Sequence, residues 1–120
     1  MKTEVRVSKS FTRQAKPLLK KYSSLSKELT DLESQLIENP RLGKPLGQDS
    51  YKIRIAVKSK GKGKSGGLRI ISHLNTEILG LICHENEEII LTLISIYDKS
   101  ETASISDKEL RNLIIGLLHE

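Results

Sequence analysis

The sequence is poor in aromatic residues and cysteine. Aromatic side chains make up 3% of the chain, with no tryptophan, and they are Phe11, Tyr22, Tyr51 and Tyr97. The core must therefore be built from Leu, Ile and Val, and a surface that stacks several single-stranded bases is disfavoured. The one cysteine, Cys83, excludes an internal disulfide and is typical of a reducing compartment.

Long apolar runs are also missing. The first residues, MKTEVRV, lack the apolar stretch of a signal peptide, and no run of about 18 apolar residues is present that would span a membrane. We therefore expect a cytoplasmic protein with no membrane partner. The length of 120 residues is typical of one domain, over residues 1–120, with a modest core.

Hydrophobic periodicity predicts two helices after a short first strand. Residues 3–8 alternate weakly between polar and apolar and indicate the strand. Apolar positions at helical spacing predict a helix that begins at Phe11 after a Ser10 cap. A second helix follows and ends at Asn39-Pro40. The next residues, 39–50, hold two prolines and two glycines and are predicted to form a loop.

The second half of the chain is predicted to be rich in strands. Residues 51–58 alternate cleanly, residues 67–83 form a long β-like stretch, and residues 89–97 are apolar and β-branched like a central strand. The short connections between these strands require antiparallel pairing. A last helix is predicted after Ser106, which has Glu109 three residues further on. The fold class is therefore α+β with a mainly antiparallel sheet.

The segment KSKGKGKSGG, residues 58–67, contains the letters GKS, which also end a nucleotide-binding P-loop. A P-loop needs a glycine five residues before the GK pair, and it opens a helix. Here the residue five positions before Gly63 is Lys58, and the sequence that follows is strand-like. Both the spacing and the context therefore argue against a P-loop.

Cationic residues without any acidic partner fill the stretch from Tyr51 to Arg69. They are Lys52, Arg54, Lys58, Lys60, Lys62, Lys64 and Arg69. Alternation places the first three on one strand face, and Arg69 on the next strand is positioned to join them. Such an array would neutralise several phosphates of a nucleic acid. The alternative is a solvated basic hairpin that protects a sheet edge from aggregation, and composition favours neither.

The same array suits RNA cleavage without a metal or another cofactor. When a 2′-hydroxyl attacks the phosphate, negative charge develops there and on the leaving 5′-oxygen, and fixed cations lower the barrier. A lysine crowded by other cations has a depressed pKa and can act as a general base. No metal site is expected, because the spacing of His73, Cys83 and His84 matches no zinc pattern.

Four segments resemble the RelE/ParE superfamily of type II toxins, and most of all its HigB/RelE-type members. They are FTRQAKPLLKKYSSL, YKIRIAVKSKGKGKSGGLRII, LISIYDKSE and ISDKEL. The resemblance implies two N-terminal helices packed on one face of a twisted antiparallel sheet, with a basic cleft on the other face. RelE-type toxins cleave messenger RNA in the ribosomal A site without a metal, whereas ParE-type toxins inhibit DNA gyrase. A cognate antitoxin neutralises both types.

The resemblance also implies roles for individual residues. Arg69 would hold the scissile phosphate, Tyr97 would stack on a base, and Lys99 would reach a phosphate or the leaving oxygen. The predicted catalytic set is Lys52, Arg54, Lys64, Arg69, Tyr97 and Lys99. The predicted RNA- and ribosome-binding set is Lys58, Lys60 and Lys62. Tyr97 has an alternative role, which is to pack in the core beside the last helix.

The general base is predicted to be a lysine, with Lys52 or Lys64 ahead of the others. Some family members have a histidine beside the tyrosine or a carboxylate on the second strand, but here the neighbour of Tyr97 is Asp98 and that strand has no carboxylate. The first functional hypothesis is a ribosome-dependent endoribonuclease toxin whose partners are the ribosome, messenger RNA and an antitoxin in a hetero-oligomer. The alternatives are a ParE-like gyrase inhibitor and a structural or interaction protein.

Overall fold

A computed structural model describes residues 2–61, 67–78, 87–100 and 104–120. Its helices and strands form an α+β fold. The strands are β1 (Lys2–Val7), β2 (Lys44–Gly47), β3 (Ser50–Ile55), β4 (Leu68–Ile78) and β5 (Glu87–Asp98). The helices are α1 (Lys9–Lys21), α2 (Leu25–Glu38) and α3 (Asp107–Leu118), and Lys58–Lys60 form a short 3-10 turn. In the described part of the chain, no helix is long and apolar enough to cross a membrane.

One sheet joins the strands in the order β1-β5-β4-β3-β2. β1 runs parallel to β5, and the other neighbouring strands are antiparallel. The predicted α+β class with a mainly antiparallel sheet and a last helix is therefore confirmed. β5 has a neighbour on each side, as its apolar, β-branched sequence predicts.

The two faces of the sheet are covered unequally. On one face, α1 and α2 pack over a large core that includes Phe11 and Leu36. On the other face, α3 packs over a small cluster in which Leu110 meets Ile71 and Ile94. Because α3 covers only part of this second face, the side chains of Lys52 and Arg54 on β3 remain partly or fully exposed beside it.

Helix caps fix where α1 and α3 begin. The cap of α1 is Ser8 rather than the predicted Ser10, because the Phe11 amide donates to Ser8 Oγ at 3.0 Å. Ser106 caps α3 as predicted. Its Oγ accepts from the Glu109 amide and donates to Glu109 Oε1, both at 3.1 Å.

The structure corrects two predictions around β3. Residues 39–50 were predicted to be a loop but contain β2, which joins β3 through Gln48 and Asp49, both with φ of 55°. A four-residue strand with a proline and a glycine shows no alternation, so its sequence hides it. The strand predicted over residues 51–58 ends at Ile55.

Lys58 consequently lies off the strand face on which it was predicted. Its backbone amide donates to Glu28 Oε2 at 2.7 Å, which draws the chain after β3 towards α2. Ser59 strengthens this junction, because its amide donates to Ser24 Oγ at 3.0 Å. The side chain of Lys58 is exposed in the 3-10 turn and does not extend the row formed by Lys52 and Arg54.

Candidate nucleic-acid interface

Five cationic side chains gather on the sheet face that α3 leaves open. We name them the basic cluster, and they are Lys44, Lys52, Arg54, Arg69 and Lys99. The strand register explains most of this arrangement, because Lys44 on β2 lies opposite Lys52, and Arg54 on β3 lies opposite Arg69. Lys99 joins from the end of β5. Four of these residues were predicted site residues, and Lys44 was not.

Lys52 is the member whose chemistry the cluster changes most. Its partial burial lowers its pKa, because burial disfavours the charged amine. The charges of Lys44, Arg54, Arg69 and Lys99 lower the pKa further by repulsion. At a given pH, more of Lys52 is therefore neutral than of an ordinary lysine, which is the form that accepts a proton.

Arg69 lies deeper than the other members. Its side chain is only 2% exposed, and its Nη1 donates to the Leu68 carbonyl oxygen at 3.3 Å. Arg54, opposite it, is exposed. A phosphate that approaches the sheet would therefore meet Lys52 and Arg54 first, and contact with Arg69 requires the groups above it to move. The predicted role of Arg69 in holding the scissile phosphate stays a prediction.

Tyr97 lies on β5 directly opposite Arg69, between the basic cluster and α3. It packs against the small cluster around Leu110, but part of its side chain remains exposed. Burial raises its pKa, against the opposing effects of the Arg69 charge and a hydrogen bond with the Ile105 backbone. The ring thus takes part in core packing, and its predicted stacking on a base stays a prediction.

Lys60 is placed on the opposite side of the sheet from the basic cluster. Its Nζ lies 2.6 Å from Asp98 Oδ1, and the two side chains are 9% and 3% exposed. Its ammonium also lies 5.8 Å from the centre of the Tyr22 ring, beneath α1. Although Lys60 was predicted to bind RNA, its charge is already committed to a buried carboxylate. We therefore leave it out of the interface.

Asp98 is the centre of this buried network. Tyr22 Oη donates to Asp98 Oδ2 at 3.1 Å, and the amide and hydroxyl of Ser100 donate to Oδ1 at 3.0 and 2.7 Å. Burial alone would raise the pKa of Asp98, but the hydrogen bonds from Lys60, Ser100 and Tyr22 outweigh it and hold the pKa well below its usual range. Asp98 is therefore ionised and structural.

Two predicted site residues, Lys62 and Lys64, lie outside the described residues, as do Cys83 and His84. In the described ranges, no group of three His, Cys, Asp or Glu side chains is arranged to hold a metal ion. His73, the remaining candidate, instead lies 3.1 Å through Nδ1 from Ser50 Oγ, where the start of β3 pairs with the middle of β4.

A solved structure of E. coli toxin RelE, a double arginine-to-alanine mutant in the free state, is similar to this chain. The TM-score is 0.51 at 18% sequence identity, and the match covers 99% of this chain and 97% of the other. No protein-family model and no curated protein matches the sequence. The chain has a RelE-like fold. This confirms the fold that the sequence segments implied, whereas the HigB-type assignment stays a prediction.

The RelE-like fold also holds a cavity that the sequence did not predict. It has a volume of about 380 Å³ and lies beside Tyr97, between α1, β5 and α3. Its polar lining consists of Gln14, Ser95, Tyr97, Glu109 and Asn112. These residues come from three elements that are distant in sequence, so no local pattern connects them.

Proposed function

We propose that this protein is the toxin of a type II toxin–antitoxin system and acts as a ribosome-dependent endoribonuclease on messenger RNA in the A site. The observation that carries the proposal is the basic cluster, in which cations from three strands and from the turn after β5 surround a partly buried Lys52 with a lowered pKa. The RelE-like fold supports it, because the E. coli protein that shares the fold is named a toxin.

In this proposal Lys52 is the general base. Its neutral amine takes the proton of a ribose 2′-hydroxyl, and the 2′-oxygen attacks the adjacent phosphorus. The bond from phosphorus to the 5′-oxygen then breaks, which leaves a 2′,3′-cyclic phosphate and, after protonation of the leaving oxygen, a 5′-hydroxyl end. Arg54 and Lys44 stabilise the charge that develops on the phosphate, and Lys99 is the candidate partner of the leaving oxygen.

The partners follow from the same surface. Ribosomal RNA and messenger RNA supply the phosphates that the basic cluster would neutralise. The antitoxin would be an acidic segment that covers this cluster and orders as it binds. A ribosome-directed activity also places the protein in the cytoplasm.

The proposal is tested by mapping messenger RNA 5′ ends after induction of the protein. Wild-type protein should arrest growth and create new ends inside translated codons, and co-expression of the antitoxin should abolish both effects. Lys52→Gln should reduce cleavage by about a hundredfold or more, because a general base contributes that much. The matched control is Lys27→Gln, which removes an exposed charge of α2 and should leave cleavage unchanged.

Two outcomes would count against the proposal. If purified protein inhibits gyrase supercoiling and cuts no messenger RNA, the ParE-like alternative is correct. If Lys52→Gln cleaves like the wild type, the basic cluster is not the catalytic centre. Circular dichroism of each variant shows whether the fold is retained.

A further inference from the structure

A second cavity lies at the edge of the sheet, next to the basic cluster. It has a volume of about 510 Å³ and lies between α2 and β3. β2 pairs with β3 only from Ser50 to Lys52, so in the described part of the chain the outer edge of β3 is open beyond that point. We name this space the edge cavity. Its lining includes three members of the basic cluster, which are Lys44, Lys52 and Arg54.

The lining of the edge cavity suits one phosphate that is joined to an uncharged group. The three cations provide charged donors for the phosphate. Apolar side chains of α2 and β3 form a wall for the uncharged group, and they are Leu32, Ile53 and Ile55. Glu28 and Asp31 line the same cavity from α2 and would repel a second anionic group. A volume of this size is typical of small-ligand sites.

Lys52 is the nucleophile that such a ligand would meet. It lies opposite Lys44 in the strand register and two residues before Arg54, so a phosphate held by those two cations would lie next to its amine. The side chain of Lys52 is partly exposed and therefore accessible. Burial and the neighbouring charges lower its pKa, so more of the amine is neutral and has a free lone pair.

We infer that the edge cavity binds acyl phosphates and that Lys52 is acylated there, a modification that switches off the proposed nuclease. The modification site stands on the cavity and the basic cluster, and the switch rests on the proposed function. In an acyl phosphate, one oxygen joins the carbonyl carbon to phosphorus. A phosphate bound by Arg54 and Lys44 therefore places the carbonyl carbon beside Lys52.

The transfer needs no further reactant. The lone pair of Lys52 Nζ attacks the carbonyl carbon, and a C–N bond forms. The bond from that carbon to the bridging oxygen then breaks, and its electron pair leaves with the phosphate, whose charge Arg54 and Lys44 stabilise. The nitrogen loses one proton, which the phosphate takes up. The products are an amide on Lys52 and hydrogen phosphate.

Acylation would remove both properties on which the proposed cleavage depends. The amide of an acylated lysine carries no charge, and it does not act as a base at neutral pH. The acylated protein should therefore cleave messenger RNA no faster than Lys52→Gln, whose side chain is also a neutral amide.

The test incubates the purified protein with acetyl phosphate and follows each lysine by mass spectrometry, after digestion with a protease that cuts at acidic residues. Lys52 should be acetylated about tenfold faster than Lys27, an exposed lysine of α2, because the bound phosphate holds the carbonyl next to the amine. The control donor is the N-hydroxysuccinimide ester of acetic acid, which has no phosphate and reports the reactivity of each amine alone. Excess inorganic phosphate, or Arg54→Gln, should reduce the preference for Lys52 with acetyl phosphate to that seen with the ester.

The labelling results decide the modification site. A preference for Lys52 that is larger with acetyl phosphate than with the ester, and that excess phosphate removes, supports the site. Equal preferences with the two donors, or a preference that phosphate leaves unchanged, overturns it.

Cleavage assays decide the switch separately. Loss of cleavage in proportion to the acetylated fraction of Lys52 supports it, and acetylated protein that cleaves like unmodified protein overturns it. If wild type cuts no messenger RNA, the proposed function and the switch both fail. The modification site is still decided in that case, because labelling is measured without RNA.

Discussion

Lys52 differs from a surface lysine in its surroundings rather than in its own chemistry. It is partly buried and has four cations near it, and both effects penalise its charged form. Lys44, Arg54 and Arg69 are held by strand pairing, so the repulsion does not depend on mobile side chains alone. Burial is the larger cause of the lowered pKa of Lys52, and the sheet register adds the repulsion of the neighbouring cations.

A pH–rate profile tests Lys52 as the base. The amine must be neutral to accept a proton, so cleavage should rise with pH until Lys52 has lost its charge. Arg54→Gln removes one of the charges that lower the Lys52 pKa, so the pKa rises and the rising limb should move to higher pH. The rate at neutral pH should fall by about tenfold or more, because phosphate stabilisation is also lost.

The control for this profile is Lys27→Gln, an equal charge change at an exposed position of α2. Its rising limb should coincide with that of the wild type. If Arg54→Gln lowers the rate but its profile keeps the wild-type midpoint, then the titrating group is not Lys52 and the assignment of the base is wrong.

At the scale of elements, the Lys60–Asp98 pair joins three parts of the fold. Tyr22 follows α1, Lys60 ends the 3-10 turn, and Asp98 ends β5. Side chains alternate along a strand, so Tyr97 lies on the face opposite to the buried Asp98, which is the face of the basic cluster. Lys99 follows directly after the strand, and its charge acts on Lys52. The network therefore fixes the end of β5 from the side opposite to the candidate site.

Asp98→Asn should destabilise the protein by about 3–5 kcal/mol, because it leaves the Lys60 ammonium buried without its counter-charge. In urea unfolding, the double variant Lys60→Met with Asp98→Asn should recover part of this loss. The exposed Arg6–Glu4 pair is the control, and Glu4→Gln should cause no measurable change. A double variant that is less stable than Asp98→Asn alone would contradict the coupling.

The same pair predicts how stability depends on pH. Folding lowers the pKa of Asp98, so the ionised group stabilises the fold above the unfolded pKa of about 3.9. This contribution is lost as the pH falls towards the lower folded pKa. Acid unfolding of Asp98→Asn should therefore lack this part of the pH dependence.

Local sequence patterns were sufficient to predict the strands that carry most of the candidate site. Alternation predicted the start of β3, and the short connections predicted its antiparallel pairing with β4 and that of β4 with β5, because both are properties of neighbouring residues. The 3-10 turn depends instead on the bond between the Lys58 amide and Glu28, 30 residues away. The pairing of Lys60 with Asp98 spans 38 residues, so no local pattern shows that its charge is buried.

The sequence also predicted part of the candidate site. Lys52, Arg54 and Arg69 were expected to share a face, and the register of β3 and β4 brings them together. The near-complete burial of Arg69 was not predictable, since it depends on what packs above it. The cavity beside Tyr97 was missed for a similar reason, because Gln14 and Glu109 line the same cavity only when α1 and α3 both pack beside β5.

The whole molecule has two unlike sides, with helices α1 and α2 covering one face of the sheet and the basic cluster open on the other. The net charge of +5 describes neither side, because it averages an acidic α2 with a basic α1 and with the basic cluster. If RNA binds through the cluster, affinity should depend on which cation is removed rather than on net charge.

The salt dependence of ribosome binding distinguishes binding through the basic cluster from binding that follows net charge alone. Each phosphate that the protein neutralises releases counterions. The slope of log affinity against log salt should therefore become shallower by roughly 0.7–1 for each phosphate contact that is lost. Arg54→Gln should show this loss, whereas Lys27→Gln, with the same net charge, should keep the wild-type slope. Equal slopes for the two variants would mean that binding follows net charge, and the basic cluster would then not be the surface that contacts RNA.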